Sequence, residues 1–178
     1  MSVQSDEGIH AAFFYGTLMA PEVFYTVCYN ARSVPKAISD LHSFTPAILH
    51  GYSRRRVQHA VYPGMVKEEE DGSHCVRGMY VTGLTKANIG RLDIFEGSEY
   101  VRQKVKVKLL KEVGNDKGEG NVEGEEREAD TYVYLYRHQL EEKEWDFEGF
   151  VRDKMKYWTR EGHTFDDCDP EDPAKAAV

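Results

Sequence analysis

The sequence predicts an α+β domain in which a mainly antiparallel or mixed, barrel-like sheet is flanked by a few helices. The stretch 99–110 alternates between valine and lysine, which is the two-residue period of a strand. Apolar residues recur at helical spacing within 19–30 and within 86–95. Strand-like segments outnumber these helices and no internal repeat is present, so we expect the sheet to organise the fold.

The elements are predicted in a simple order along the chain. The patterns indicate a strand at 10–15, a helix at 19–30, short strands within 42–66, a strand at 75–81, a helix at 86–95, a strand at 99–110, a solvated and mobile loop at 112–129, a return strand at 130–136 and a helix at 144–158.

Several residues mark the ends of these elements. Pro21 suits the first turn of the first helix, Thr85 is the predicted N-cap of the second, and Gly97 is predicted to end it. In the strand at 99–110 we expect Val101, Val105 and Val107 to share one face, with the lysines at 104, 106 and 108 on the other.

Composition bounds the class of protein. The chain has 178 residues and a net charge of −8, which predicts one domain over 1–160 followed by a loose acidic tail at 161–178. The acidic balance disfavours nucleic acid as the main partner. Three widely spaced cysteines, no secretory leader and no long apolar run predict a reduced, cytoplasmic protein without a membrane span. The oligomeric state stays open.

Glu96 is the first candidate for chemistry. An α-helix advances about 100° per residue, so Ile89, Leu92 and Phe95 form one apolar stripe that includes Glu96, whereas Asp93 falls nearer its edge. Burial should raise the pKa of such a carboxyl group and make it a better base near neutral pH. The alternative is structural, with Glu96 capping a neighbouring strand or pairing with an arginine.

The turn at 15–20, of sequence YGTLMA, is the second candidate. A glycine between a strand and a helix lets backbone N–H groups converge, and such a place can hold a carboxylate or a developing oxyanion. By itself, the same sequence is also typical of an ordinary strand-to-helix turn.

The remaining candidates have competing interpretations. Glu99 is a second carboxylate in the Glu96 segment and stands as the runner-up for the base. Tyr62 and Tyr100 are each expected either to line a pocket or to pack in the sheet. Consecutive arginines at 54–56 would point to alternate faces of a strand, so at most one or two of them could meet a substrate carboxylate, and a solvated surface is the main expectation. The histidine spacings indicate no metal site.

Taken together, these segments resemble the γ-glutamylcyclotransferase-like superfamily, in particular its AIG2-like branch, over about residues 11–155. The matching segments are 14–19 (FYGTLM), 61–64 (VYPG), 92–97 (LDIFEG), 99–102 (EYVR) and 144–148 (EWDFE). Two departures are Gly64, where relatives often have alanine, and a long insertion near 114–128.

The resemblance implies a cofactor-free and metal-free cyclisation of a small γ-glutamyl substrate. The substrate's α-amine attacks its own γ-carbonyl, 5-oxoproline forms, and an amine or amino acid leaves. By matching the family motif, Glu96 is the catalytic base and then acid. The implied substrate-binding residues are Tyr15, Gly16, Thr17, Leu18, Met19, Ala20, Tyr62 and Tyr100.

Two other functions remain open at this point. One is an enzyme of the same fold that acts on another amide, as an acyltransferase or a secondary-metabolite lyase. The other is a non-catalytic binding or stress-response module that keeps the pocket. A costly carboxylate on an apolar stripe disfavours the second.

Overall fold

The computed structural model describes residues 9–68, 72–115 and 119–146. Its strands and α-helices run in the order β1 His10–Phe14, α1 Pro21–Tyr29, α2 Lys36–Ser39, β2 Phe44–His50, β3 Tyr52–Val57, β4 Pro63–Lys67, β5 Cys75–Leu84, α3 Lys86–Glu96, β6 Tyr100–Glu112, β7 Val122–Tyr134 and β8 Leu140–Glu144. Short 3-10 helices precede α1 and β8, at Thr17–Met19 and Arg137–Gln139.

Five strands form a closed barrel in the order β1-β5-β2-β6-β7, as the predicted barrel-like sheet requires. The neighbours pair antiparallel except at the closure, where Ala12 of β1 pairs parallel with Asp130 of β7. A second, antiparallel sheet has the order β4-β3-β8. The architecture is α+β, with the second sheet and three helices around the barrel.

The apolar core is formed by side chains from several strands of the barrel. Phe13 and Phe14 of β1, Val81 of β5 and Val107 of β6 have no exposed surface. Helix α1 packs against this core through Phe24, whose ring lies edge-on to Phe44 at 5.4 Å between centroids. The structure thus places the Tyr-Gly turn, directly after β1, in one of the most buried parts of the molecule.

The ends of the helices agree with the sequence signals. Pro21 is the first residue of α1. Thr85 caps α3, with its hydroxyl accepting from the Asn88 N–H while the Asn88 side chain accepts from the Thr85 N–H. Gly97 follows α3 with φ = 78°, a conformation that favours glycine. These signals fix the length of α3 and therefore the position of Glu96 at its last turn.

The loop predicted at 112–129 is wrong for residues 122–129, which belong to β7. Charged residues pair across the β6–β7 hairpin, with Lys106 opposite Glu128 and Lys108 opposite Glu126. Opposite charges directly across a ladder are stabilising, so the start of β7 forms a strand although its residues 122–128 are almost all polar or charged. The low apolar content of this segment therefore predicted its exposure to solvent correctly. It did not reveal that the segment forms a strand.

The valine face of β6 is confirmed by its register. Residues 100–108 pair with β7 without a shift, so Val101, Val105 and Val107 share one face. Val105 and Val107 are buried on that face, whereas Val101 is 44% exposed. The buried side chain at the start of β6 is Tyr100, which lies on the opposite face.

The helix predicted at 144–158 is wrong at its first residue, because Glu144 ends β8. Trp145 is buried, and its indole N–H donates to the Val61 carbonyl at 2.8 Å, as expected of a packing residue. The part of that helix at 147–158, like the tail at 161–178, lies outside the described residues. Among the described helices, none has the length and apolar character needed to cross a membrane.

Candidate active site

Helix α3 places Glu96 inside the molecule. Ile89, Leu92 and Phe95 are buried, as the predicted stripe requires, while Ile94 on the opposite side is 81% exposed. Each buried side chain of this size contributes about 1.5–3 kcal/mol to stability. Together they offset the several kcal/mol that burying a polar carboxyl group costs. The sequence of α3 therefore forces Glu96 inward, where it is 3% exposed.

The hydrogen-bonding state of the Glu96 carboxyl group is unusual for a buried acid. Both of its oxygens are buried, and neither forms a hydrogen bond to any of the described residues. Burial raises the pKa of Glu96 well above its usual range, and the charge of Asp93 raises it further. The structural alternative, in which Glu96 caps a strand or pairs with an arginine, is therefore not seen within the described residues. A carboxyl group in this state holds a proton strongly, and its carboxylate form is a strong base towards a ligand.

Asp93 lies one helical turn before Glu96 and has a different environment. It is paired, because its Oδ1 atom accepts from the Tyr132 hydroxyl at 2.7 Å and from Arg102 Nε at 3.1 Å. Its side chain is 41% exposed. The choice of Glu96 over Asp93 as the unpaired carboxyl group agrees with this geometry.

The turn after β1 uses some of its N–H groups internally. Met19 N–H donates to the Gly16 carbonyl at 3.0 Å and Ala20 N–H to the Thr17 carbonyl at 3.1 Å. The first N–H groups of a helix have no intrahelical acceptor, so those of Gly16 and Leu18 lie outside the turn's own hydrogen bonds. Of the predicted binding segment, Gly16 and Leu18 are the residues whose amides suit a ligand oxygen best.

The side chain of Tyr15 holds this turn against the barrel. It is fully buried, and its hydroxyl donates to the Tyr132 carbonyl at 2.6 Å. Burial is the main cause that raises the pKa of Tyr15 well above its usual range, and the negative charge of Glu96 raises this pKa further. The Tyr15 ring and Glu96 are thus close enough to interact electrostatically, which brings the turn and the carboxyl group into one site.

Two further tyrosines of the prediction adjoin this site. The Tyr100 hydroxyl donates to the Pro63 carbonyl at 2.7 Å, and its ring packs edge-on against Tyr134 at 5.1 Å. Burial raises the pKa of Tyr100, with Tyr15 and Glu96 as the next causes. Tyr62 is half-buried and its pKa is raised by burial and by Glu99. Packing and pocket lining are therefore compatible roles for both.

Glu99, the runner-up, lies farther from the buried centre. It is half-buried, and its carboxylate is close enough to raise the pKa of Tyr62 and of Tyr134, although in both cases burial is the larger cause. Its backbone carbonyl accepts from Leu135 N–H at 2.9 Å. A tyrosine cluster is formed by Tyr62, Tyr100 and Tyr134. Glu99 lies at its outer side, while Glu96 lies at its buried side.

Arg54 contacts the turn directly, and sequence reasoning missed it. Its Nη1 atom donates to the Tyr15 carbonyl at 2.8 Å and to the Arg77 carbonyl at 3.0 Å, and its Nη2 atom lies 3.2 Å from Glu144 Oε1. The side chain is 11% exposed, so the expected solvated surface is wrong at this position. Burial lowers the pKa of the guanidinium and Glu144 opposes that shift. Three adjacent arginines carried no signal that separated this one from its neighbours.

Gly64 adjoins the same tyrosines. A Cβ atom at this position would lie 2.8 Å from Tyr134 Cγ and 2.8 Å from Leu140 Cδ2. The glycine therefore lets β4 approach β7 closely beside Tyr100. Within the described ranges, no three His, Cys, Asp or Glu side chains are grouped so as to hold a metal ion.

Comparison with known proteins identifies the family. A model of the family described as "Gamma-glutamyl cyclotransferase, AIG2-like" matches residues 12–148. Protein AIG2 C of Arabidopsis thaliana is 30% identical over 145 residues, which are 81% of this chain and 73% of that protein. AIG2-like protein C of the same plant is 31% identical over 145 residues, 81% of this chain and 70% of that protein.

A solved structure shares the fold. The solution structure of an Arabidopsis thaliana protein has a TM-score of 0.52 and 28% identity, covering 85% of this chain and 78% of that one. The range 12–148 matched by the family model includes the turn after β1 and α3. The chain therefore belongs to the gamma-glutamyl cyclotransferase, AIG2-like family.

Proposed function

We propose that this protein is a cofactor-free γ-glutamyl cyclotransferase, which converts a γ-glutamyl compound into 5-oxoproline and a free amine or amino acid. The observation that supports this most directly is the buried Glu96 carboxyl group, which no described residue contacts through a hydrogen bond. Its position beside the Tyr15 turn adds a second requirement of the reaction, a set of amide donors near a proton acceptor.

The substrate's α-ammonium group is the partner that Glu96 lacks. In the unliganded site, burial favours the protonated carboxyl group. A bound ammonium group supplies the opposite charge and favours the carboxylate, so Glu96 releases its own proton to water as the substrate binds. Glu96 then accepts a proton from the ammonium group, because only the neutral amine has a lone pair for attack.

The cyclisation needs few protein groups. The amine and the γ-carbonyl belong to one molecule, so holding the chain bent supplies most of the proximity. A new carbon–nitrogen bond forms, and the carbonyl oxygen becomes an oxyanion. In this proposal the N–H groups of Gly16 and Leu18, which lie outside the turn's own hydrogen bonds, stabilise it.

Proton transfer completes the reaction. Glu96 donates the proton it accepted to the leaving nitrogen, and the old carbon–nitrogen bond breaks. The second proton of the attacking nitrogen departs with the released amine, which is an ammonium ion at neutral pH. Atoms and charge balance, and Glu96 returns to its carboxylate form.

The experiment uses purified protein and a panel of γ-glutamyl amines and γ-glutamyl amino acids, with 5-oxoproline measured by mass spectrometry. We expect turnover of at least one compound and its loss in Glu96→Gln. Glu99→Gln is the matched control and should keep turnover. Turnover that survives in Glu96→Gln refutes the role of Glu96. An inactive wild-type protein across the panel refutes the function and favours another amide substrate or a binding module.

A further inference from the structure

We propose that Arg54 is a positioning residue, which orients the peptide between Tyr15 and Gly16 and strengthens the Gly16 N–H group as a donor to the substrate's γ-carbonyl oxygen. This inference rests on the proposed function. It adds a residue on β3, outside every segment assigned to the reaction so far.

The contacts of Arg54 are directed at the backbone of the turn. One nitrogen, Nη1, donates both to the Tyr15 carbonyl at 2.8 Å and to the Arg77 carbonyl at 3.0 Å. Tyr15 follows β1 and Arg77 lies in β5, so the guanidinium group joins the end of one barrel strand to its neighbour. The carbonyl of Tyr15 is thus fixed in direction by a charged donor.

Peptide geometry carries this effect to the next residue. The peptide is planar and trans, so its N–H group points opposite to its carbonyl group. Because Arg54 binds the Tyr15 carbonyl oxygen, the Gly16 N–H group is directed away from Arg54, to the opposite side of the peptide. That N–H takes no part in the turn's own hydrogen bonds, and Gly16 has no side chain to obstruct a ligand.

A cation at the Tyr15 carbonyl oxygen also changes the strength of the Gly16 N–H group as a hydrogen-bond donor. Hydrogen bonds to charged groups are roughly twice as strong as neutral ones, and linked hydrogen bonds polarise one another by about 10–30% each. The Arg54 charge therefore withdraws electron density from the peptide and makes the Gly16 N–H a stronger donor. The benefit is largest when the ligand oxygen carries a full negative charge, which is the case in the transition state.

Burying the charged Arg54 side chain costs free energy, and this cost supports a specific role for the side chain. Its Nε atom is buried and has no hydrogen-bond partner among the described residues, and Glu144 lies against only one edge of the group. Arg55, the next residue, instead pairs with Glu68 at 2.7 Å, and its Nε atom donates to Ser53 Oγ at 3.2 Å. Arg54 and Arg55 are therefore adjacent in sequence but bind different partners, which makes Arg55 a suitable control for Arg54.

The test compares Arg54→Met and Arg54→Lys with Arg55→Lys as the control. We expect Arg54→Met to lower kcat by about 10- to 100-fold, less than the ~10²–10³ that follows complete loss of an oxyanion donor. We expect KM to change little, because the ground-state carbonyl carries little charge. Arg54→Lys should keep part of kcat, and Arg55→Lys should match the wild type.

A second readout does not depend on turnover. We expect the ¹⁵N and ¹H shifts of the Gly16 amide to move upfield in Arg54→Lys and to stay unchanged in Arg55→Lys, because a donor on the preceding carbonyl deshields the amide. If Arg54→Met does not fold, the Lys variant decides the question. Unchanged kcat in a folded Arg54 variant, an effect on KM alone, or an unmoved Gly16 amide overturns the inference. A wild type without turnover overturns the proposed function, and the Gly16 amide then decides whether Arg54 polarises the peptide.

Discussion

The Tyr132 hydroxyl donates to Asp93 Oδ1 at 2.7 Å, one helical turn before the buried carboxyl group of Glu96. The same tyrosine accepts at its carbonyl the hydroxyl of Tyr15. Tyr132 thus connects the helix that carries Glu96 to the turn after β1. It also keeps Asp93 as a hydrogen-bonded carboxylate whose charge acts on Glu96.

Asp93→Asn should shift the pH dependence of activity. The Asp93 charge raises the pKa of Glu96, so removing it lowers that pKa and lets Glu96 act as a base at lower pH. We expect the acidic limb of the kcat/KM profile to move to lower pH, measured by 5-oxoproline release across a pH series. Asp40→Asn is the control, since Asp40 pairs with Lys36 on the surface. An acidic limb that does not move would contradict this coupling.

Glu96→Gln should change how stability depends on pH. The folded pKa of Glu96 lies above its unfolded value, so the folded protein binds the proton more tightly. Wild-type stability is then full below the unfolded pKa of about 4.3 and falls as pH rises towards the folded pKa. Within that window the slope is about 1.4 kcal/mol per pH unit.

Urea denaturation at several pH values measures this difference. The Gln variant lacks the titrating group, so its stability should exceed that of the wild type by a margin that grows with pH. A constant difference between the two proteins would show that Glu96 does not titrate in this range.

Gly78→Ala should strongly destabilise the barrel. A Cβ atom at position 78 would lie 2.2 Å from the Phe14 carbonyl oxygen and 2.8 Å from the Phe13 ring. Backbone and core ring have little room to move, so we expect a loss of about 3 kcal/mol or more in denaturant unfolding.

Gly90→Ala is the matched control for this substitution. Gly90 lies within α3 and nothing approaches its Cβ position within 4 Å. Alanine should therefore stabilise the helix by up to about 1 kcal/mol. Similar stability changes for the two variants would contradict the close approach of β1 and β5.

Gly64→Ala should disturb the tyrosine cluster beside the site. The new methyl group would lie within 2.8 Å of Tyr134 Cγ, and Tyr134 packs against Tyr100. We expect a cost of about 1–3 kcal/mol and a change in the near-ultraviolet circular dichroism of the tyrosines. An unchanged spectrum and stability would mean that β4 moves away freely, which would contradict the close approach at Gly64.

Local signals in the sequence located the best-determined parts of the fold. Thr85, the stripe through Leu92 and Gly97 fixed both ends and the buried face of α3, and with them the inward position of Glu96. These features depend on contacts within one helix and on burial, so a single segment contains them.

Features that depend on distant partners were not predictable in the same way. Residues 122–129 form a strand because β6 offers lysines opposite their glutamates. Arg54 reaches the Tyr15 carbonyl, 39 positions away, only after β3 has packed beside the barrel. Both features depend on how distant segments pair in three dimensions. The composition of a single segment does not reveal that pairing.

The parallel pairing of β1 with β7 has a consequence for the order of folding. The Thr131 hydroxyl donates to the Phe13 carbonyl across 118 positions of sequence, and contacts of such separation slow folding. During synthesis β1 emerges early but waits for β7 with an unpaired edge, which is a site for aggregation until it is covered. Tyr15 likewise has no Tyr132 carbonyl to bind during this interval. The candidate active site is thus completed only when the last barrel strand arrives, so a truncated or stalled chain would lack it.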